Sequence, residues 1–153
     1  MDQDSSRSRR KAPGHYLAAL HRLSAAFLSP RMRRLGVKRG LIAMLLETLE
    51  GPGRTQEALR DALKVDRAAA ARALFELESK GFVTRREDPF DRRRKIVEPA
   101  PRASALSAAL FAALDEHNEV LFRGFDPARR EEALSILKDM AANLERAVKR
   151  DKT

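Results

Sequence analysis

The chain has 153 residues, with 31 Lys plus Arg against 22 Asp plus Glu, a formal net charge of +9 and 43% hydrophobic side chains. That composition is one domain, or one domain with appended helices, with enough apolar residues for a core, so the basic excess belongs to a folded protein and points to an anionic partner. Zero Cys excludes disulfides, thiolate metal sites, cysteine nucleophiles and thiol redox sensing, and the longest uncharged apolar stretch, Ala103 to Leu114, is well short of the roughly 18 residues of a membrane span.

Residues 1–13 carry Arg7, Arg9, Arg10 and Lys11 without an apolar h-region. They are expected to be a disordered basic tail and not a secretory signal, which places the chain in the cytoplasm. From Gly14 to Ser29, Tyr16, Leu20, Leu23 and Phe27 recur at spacings of 4, 3 and 4, the stripe of an amphipathic helix that Pro30 is expected to stop. Arg31 to Arg34 then reads as a basic link. Lys38 to Glu50 is a second helix, with Ile42, Leu45 and Leu49 on one face and Gly51-Pro52-Gly53 as its breaker.

Thr55 is placed to cap a third helix that runs through Leu63. Only Lys64 and Val65 precede Asp66, a good N-cap for a fourth helix whose inward stripe is Ala70, Leu74 and Leu77 and which Gly81 ends in a left-handed cap. Two helices joined by so short a turn form a helix-turn-helix candidate. From Phe82 the period changes. Phe82 to Arg86 and Arg93 to Glu98 read as strands around a loop holding Pro89, and a hairpin directly after a helix-turn-helix is a wing. Beyond Pro99 and Pro101 a long helix aligns Leu106, Leu110, Leu114, His117 and Leu121 until Gly124. Asp126-Pro127 starts a last helix, in which Leu134, Leu137, Ala141, Leu144 and Val148 form a seam of coiled-coil type.

The charge is unevenly spread. Residues 1–50 hold 10 basic and 4 acidic side chains, residues 51–100 hold 12 and 9, and residues 101–153 hold 9 and 9. A basic first two-thirds beside a neutral helical end implies one part that meets a polyanion and another that meets protein.

In this order of elements the chain resembles the MarR family of winged-helix transcriptional regulators, over about residues 14–150. The resemblance is most specific at Leu77-Glu78-Ser79-Lys80-Gly81-Phe82-Val83-Thr84-Arg85, at Asp91-Arg92-Arg93, which sits like the Asp-x-Arg of the family wing, and at Thr55-Gln56 with Leu59. The sequence departs from the family in three places: Arg54 stands where an apolar residue normally pairs as a short strand, Ala69 replaces a hydroxyl residue, and Pro99-Ala100 replaces Leu-Thr. The resemblance implies a mainly α fold with a small β-hairpin, a winged helix-turn-helix with N- and C-terminal dimerisation helices. Its parts are a dimerisation helix over 14–34, a DNA-binding domain over 35–100 and further dimerisation helices over 101–153. It also implies a homodimer that binds double-stranded operator DNA, a repressor released by a small-molecule effector.

The wing is the strongest chemical signal. Arg92, Arg93, Arg94 and Lys95 are four consecutive cations beside a turn, and a hairpin tip is narrow enough for a minor groove, whose negative potential attracts guanidinium groups. By the resemblance Arg93 is the inserted residue, and Asp91 holds its side chain or the loop in place. On the recognition helix, Arg67 with Ala71 and Ala68 with Arg72 lie opposite the inward stripe. Arg67 suits a guanine edge or a phosphate and Arg72 a phosphate, whereas the alanines touch a thymine methyl at most and serve equally as helix formers. Thr55 and Gln56 suit phosphate at a helix N-terminus, although Thr55 serves equally as a cap. Arg31, Arg33 and Arg34 either face DNA or solubilise the link, and the N-terminal basic run is read as a solvated tail before an arm along the DNA backbone.

Nothing supports catalysis or a cofactor. His117 lies among Asp115, Glu116 and Glu119, but HExxH and paired-histidine spacings are lacking, so no metal site is expected. Ser24 and the other hydroxyls lack a His and Asp context, and Gly51-Pro52-Gly53 is a turn, not a phosphate loop. His15, Tyr16, His21, Phe111 and His117 are the candidate lining of an effector pocket, with core packing an equal account of Phe111. The alternative function is a winged-helix adaptor that binds protein and uses its basic face for solubility.

Overall fold

A computed structural model describes residues 12–150. The segment expected as a basic tail therefore lies, through Lys11, outside the described residues, while Pro13 already opens the first helix. The elements in chain order are α1 (Pro13–Arg34), a 3-10 turn (Arg39–Leu41), α2 (Ile42–Glu50), β1 (Arg54–Thr55), α3 (Gln56–Leu63) and α4 (Arg67–Ser79). They continue with β2 (Val83–Glu87), β3 (Lys95–Pro99), α5 (Pro101–Leu121) and α6 (Pro127–Arg150). The architecture is the mainly α winged helix-turn-helix that the sequence predicts. Two compact units share the chain, one through His117 and one from Asn118. Among the described residues, no helix is long and apolar enough to cross a membrane.

Proline 30 does not stop the first helix, which continues to Arg34. A helical proline forfeits one backbone donor and crowds the preceding turn. Here side chains take up nearby carbonyls: the Ser29 hydroxyl donates to Ala25 O at 2.6 Å, and Arg31 Nη1 donates to Phe27 O at 2.9 Å. The turn beyond the proline is anchored by Met32, which is fully buried. The segment expected as a basic link is thus the last turn of α1.

The core of the first unit forms where α2, α3, α4, the sheet and the start of α5 meet. Leu45, Leu59, Leu74, Leu77, Phe82, Val97 and Leu110 are fully buried in it. Its one buried polar side chain among the described residues, Thr48, donates to Met44 O at 2.8 Å, so it leaves no unmade hydrogen bond. The predicted stripe of α5 is displaced. Ala103, Leu110 and Ala113 are buried, Leu106, Leu114 and His117 are half-buried, and Leu121 is exposed, because small alanines on one side allow closer approach.

The sheet is antiparallel, in the order β1-β3-β2. Arg54 pairs with Val97 and Thr55 with Ile96, so the short third strand forms although an arginine stands where an apolar residue is usual. Its backbone supplies the pairing, and its guanidinium turns to Glu47, with Nη1 2.7 Å from Oε2. In the hairpin, Val83 faces Pro99 and Glu87 faces Lys95. Both strands lie one or two residues later than expected. The Arg94 N–H donates to Asp91 O at 2.9 Å and the Arg93 N–H to Asp91 Oδ1 at 3.1 Å, so both donors close the turn and are unavailable to the ladder.

In the second unit, Asp126 caps α6 by accepting from Arg129 N at 2.8 Å, as its sequence predicts. Arg130 of α6 pairs with Glu119 near the end of α5, at 2.9 Å.

Candidate nucleic-acid interface

Three local structures position the candidate residues. At the start of α3 the Thr55 hydroxyl accepts from Ala58 N at 3.2 Å, a neutral cap on the positive end of the helix dipole. At the start of α4 the Asp66 carboxylate accepts from Ala69 N at 2.7 Å, so that helix end already carries its own anion. At the wing, Asp88 Oδ1 accepts from Phe90 N at 2.9 Å, and Asp91 closes the turn on Arg93 and Arg94. Between α3 and α4, Lys64 takes a left-handed conformation (φ 54°), which lets the connection turn within a few residues.

These structures converge. Thr55, Gln56, Arg67, Arg93 and Arg94 line one concavity of about 360 Å³, together with Glu57, Arg60, Ala70 and Lys95. Ala68, Ala71 and Arg72 lie beside it on α4, where Ala68 and Arg72 are exposed and Ala71 is half-buried. Arg92 is exposed at the wing turn. Arg93 is 93% exposed, and its Nε lies 3.3 Å from Asp91 Oδ1. Asp91 therefore grips both the backbone and the side chain of the arginine it is expected to orient.

Not all of the positive charge is available. Arg60 is held by Asp61 at 2.6 Å and Glu57 at 3.6 Å, and Lys95 by Glu87 at 3.2 Å. Among the described residues, Arg67, Arg72, Arg92 and Arg94 have no carboxylate partner. The carboxylates of α4 are drawn to its flanks. Glu76 sits 2.6 Å from Lys38 Nζ, whose hydrogen bond holds its carboxyl below the usual range, and the same effect is produced at Glu78 by the hydrogen bonds of Arg85. The Glu78–Arg85 pair, at 2.5 Å, also ties the end of α4 to the first strand of the wing.

The five candidate pocket residues are not brought together. His15 packs edge-on to Tyr16, both of them exposed, and His21 Nε2 lies 3.1 Å from Arg39 Nη2. His117 Nε2 lies 2.9 Å from Ser24 Oγ and its ring tilts against Phe27, while Phe111 is half-buried elsewhere on α5. A shallow concavity of about 530 Å³ between α1 and α5 is lined by Pro30, Arg31, Arg34, Leu35, three alanines and Glu116. None of the five is in it. Arg31 is bound there to Glu116, at 2.6 and 2.9 Å, and does not extend as a surface cation.

Three residues at this surface escape a reading of the site from sequence. Arg60 follows Gln56 by one helical turn, a spacing that could have found it. Phe75 and Phe90, 66% and 97% exposed, draw no assignment from sequence because aromatic residues ordinarily signal core.

A helix-turn-helix followed by a cationic wing, the two converging on one basic concavity, defines the winged-helix class. Residues 33–94 match the sequence profile of the MarR family. The chain is 31% identical over 112 residues to an HTH-type transcriptional regulator of Bacillus subtilis (strain 168), YybA, covering 73% of this chain and 75% of that one. A MarR transcriptional regulator from Methanosarcina mazei Go1 superposes with a TM-score of 0.78 at 28% identity, over 87% of this chain and 96% of that one. CouR from Rhodococcus jostii RHA1, in its structure bound to p-coumaroyl-CoA, shares the fold, with a TM-score of 0.79 at 20% identity over 89% of this chain and 96% of that one. The chain belongs to the MarR family, whose members are transcriptional regulators and not enzymes.

Proposed function

We propose that this protein is a homodimeric repressor that binds operator DNA, with α4 in the major groove and the wing in the minor groove, and that a small ligand releases it. One observation carries the reading: Thr55, Gln56, Arg67, Arg93 and Arg94, each a candidate for this role from sequence, line a single concavity. Hydroxyl, amide and free helical N–H groups at the start of α3 hold phosphate. Arg67 and Arg72 bring α4 to the groove, and Arg93, aligned by Asp91, reaches the narrow neighbouring groove.

Dimerisation is supported by apolar faces that one chain leaves uncovered. Tyr16, Leu20 and Leu23 on α1 are 58%, 41% and 68% exposed. In the predicted seam of α6, Leu134, Leu137, Leu144 and Val148 are 56%, 42%, 63% and 53% exposed. A two-fold pairing that buries such stripes presents two recognition helices and two wings to a pseudo-palindromic site. Covering that site blocks transcription from it. Release by a ligand is supported by CouR, whose similar fold holds p-coumaroyl-CoA.

The test is selection of bound fragments from random duplex DNA by the full chain, followed by affinity measurements over a range of salt. Enrichment of a two-fold symmetric site, with log affinity falling steeply against log salt, is the expected result. Equal retention of every duplex, or of none, overturns the reading. A ligand screen on the selected site then looks for release.

A further inference from the structure

The solvent face of the recognition helix is short of hydrogen-bonding groups. Ala70, Leu74 and Leu77 point into the core, and the opposite face carries Ala68, Arg72 and Phe75, with Ala71 at its margin. Phe75 follows Arg72 by three positions and Ala71 by four, so the three share one patch. Its ring is 66% exposed, and a single exposed aromatic would need no explanation elsewhere on a surface. Here it stands between a free arginine and two alanines, with Glu76 turned away to Lys38 and Glu78 to Arg85. Such a patch is apolar at its centre, with the unpaired Arg72 at its edge and the nearby carboxylates engaged by Lys38, Arg85 and the helix cap. It suits a polyanion that presents apolar groups.

We infer that Phe75, with Ala68 and Ala71, reads the 5-methyl groups of thymine in the major groove, so that this protein recognises its site by methyl contacts more than by hydrogen bonds. The inference rests on the DNA reading proposed above. Of the groups on the major-groove edges of the four bases, the thymine methyl alone is apolar. Alanine and phenylalanine side chains offer no donor or acceptor to the others, whereas a methyl group removed from water against them gains about 0.8 kcal/mol, a factor of about four in affinity. The alanines keep the helix backbone close to the bases, and the larger ring of Phe75 extends the same apolar strip by one helical turn. Arg72 and Arg67 supply attraction at the margins.

The experiment uses the full chain and the duplex selected from random DNA. Each thymine in the segment covered by α4 is replaced with deoxyuridine, which removes the methyl and preserves every hydrogen-bonding group. About fourfold weaker binding is expected for each methyl that the helix touches, and about sixteenfold for a symmetric pair in the two half-sites. Phe75→Ala should bring the thymine-to-uracil ratio at its own position close to one, and Phe75→Leu should keep part of it. Arg72→Ala should weaken both duplexes and leave the ratio unchanged. Circular dichroism checks that the variants fold, which the exposure of Phe75 leads one to expect. Tight binding by the wild type without preference for thymine over uracil overturns the inference while the DNA reading stands. A ratio that survives in Phe75→Ala removes Phe75 as the reader. Failure to retain any duplex at low salt removes both.

Discussion

Removing the Arg93 guanidinium separates minor-groove insertion from general attraction to a polyanion. In the folded chain this side chain is 93% exposed and touches Asp91 at 3.3 Å, an exposed pair that contributes at most about 1 kcal/mol, so Arg93→Ala should melt with the wild type. Its cost should appear on DNA. A guanidinium inserted in a narrow groove contributes on the order of 2 kcal/mol per half-site, hence about 4 kcal/mol for a dimer, roughly a thousandfold in affinity. The assay is fluorescence anisotropy on the selected duplex with three sets of flanks: A·T, G·C, and inosine·C, which lacks the guanine amino group that obstructs the minor groove. The wild type should favour A·T and inosine·C over G·C, and Arg93→Ala should abolish that order. Arg72→Ala should instead weaken selected and random DNA alike, lowering the log-log salt slope by about 0.9 for each phosphate that is no longer neutralised. Asp91→Ala should reproduce part of the Arg93 effect, because the turn and the side chain share this one acceptor. If Asp91→Ala binds more tightly, and Arg93→Ala is no worse than Arg72→Ala on every flank, the wing is a nonspecific cationic patch.

Three more perturbations test other parts of the architecture. Asp66→Asn keeps an equally good cap on α4 and removes an anion beside the proposed DNA surface, so thermal stability should hold while DNA binding tightens by about two- to threefold per half-site at low salt; weaker binding would refute it. Glu78→Gln should destabilise the fold at neutral pH by about 1 kcal/mol or less, since the Glu78 and Arg85 side chains are 36% and 22% exposed. Because Arg85 lowers the folded-state pKa of Glu78, that stabilisation is present above the unfolded carboxylate pKa and is lost as pH falls through the folded one. The melting difference should therefore shrink in acid, and an undiminished difference there would contradict the ion pair as its source. Leu144→Asp, in the exposed seam of α6, should convert the proposed dimer to monomer in sedimentation at micromolar concentration; a persistent dimer would rule out that seam as the interface.

The parts of this fold legible in sequence are those governed by local chemistry. Thr55 and Asp66 are the caps that their side chains and positions predict, because a cap needs one acceptor within three residues of one donor. The wing turn follows equally from Asp91 and the run of arginines. Pro30 misleads because its rule describes an isolated helix, and burial of Met32 beyond it favours continuation. The third strand at Arg54 is obscured for a related reason. Side-chain type suggests little pairing there, but the pairing is made by backbone groups, and the charge is answered by Glu47, seven residues away. Phe75 shows the limit of pattern alone. It lies outside the Ala70, Leu74 and Leu77 stripe, yet the meaning of an apolar residue on an outer face depends on the carboxylates beside it, and only the structure shows that Glu76 and Glu78 are turned aside.

The strand order β1-β3-β2 leaves β2 at an open edge, and an open edge is a template on which another chain can grow. A wing that reaches outward cannot be covered by a helix or loop without forfeiting its reach. Its protection against aggregation lies in the strand itself and in Glu78 of α4, whose Oε1 accepts from Arg85 N at 3.2 Å. β2 is only five residues long, and three of them, Arg85, Arg86 and Glu87, are charged. A second copy docking edge to edge would have to strip water from all three, while gaining few backbone bonds. The hairpin thus stays closed to its own kind while its turn remains exposed, a solubility device built into an open edge.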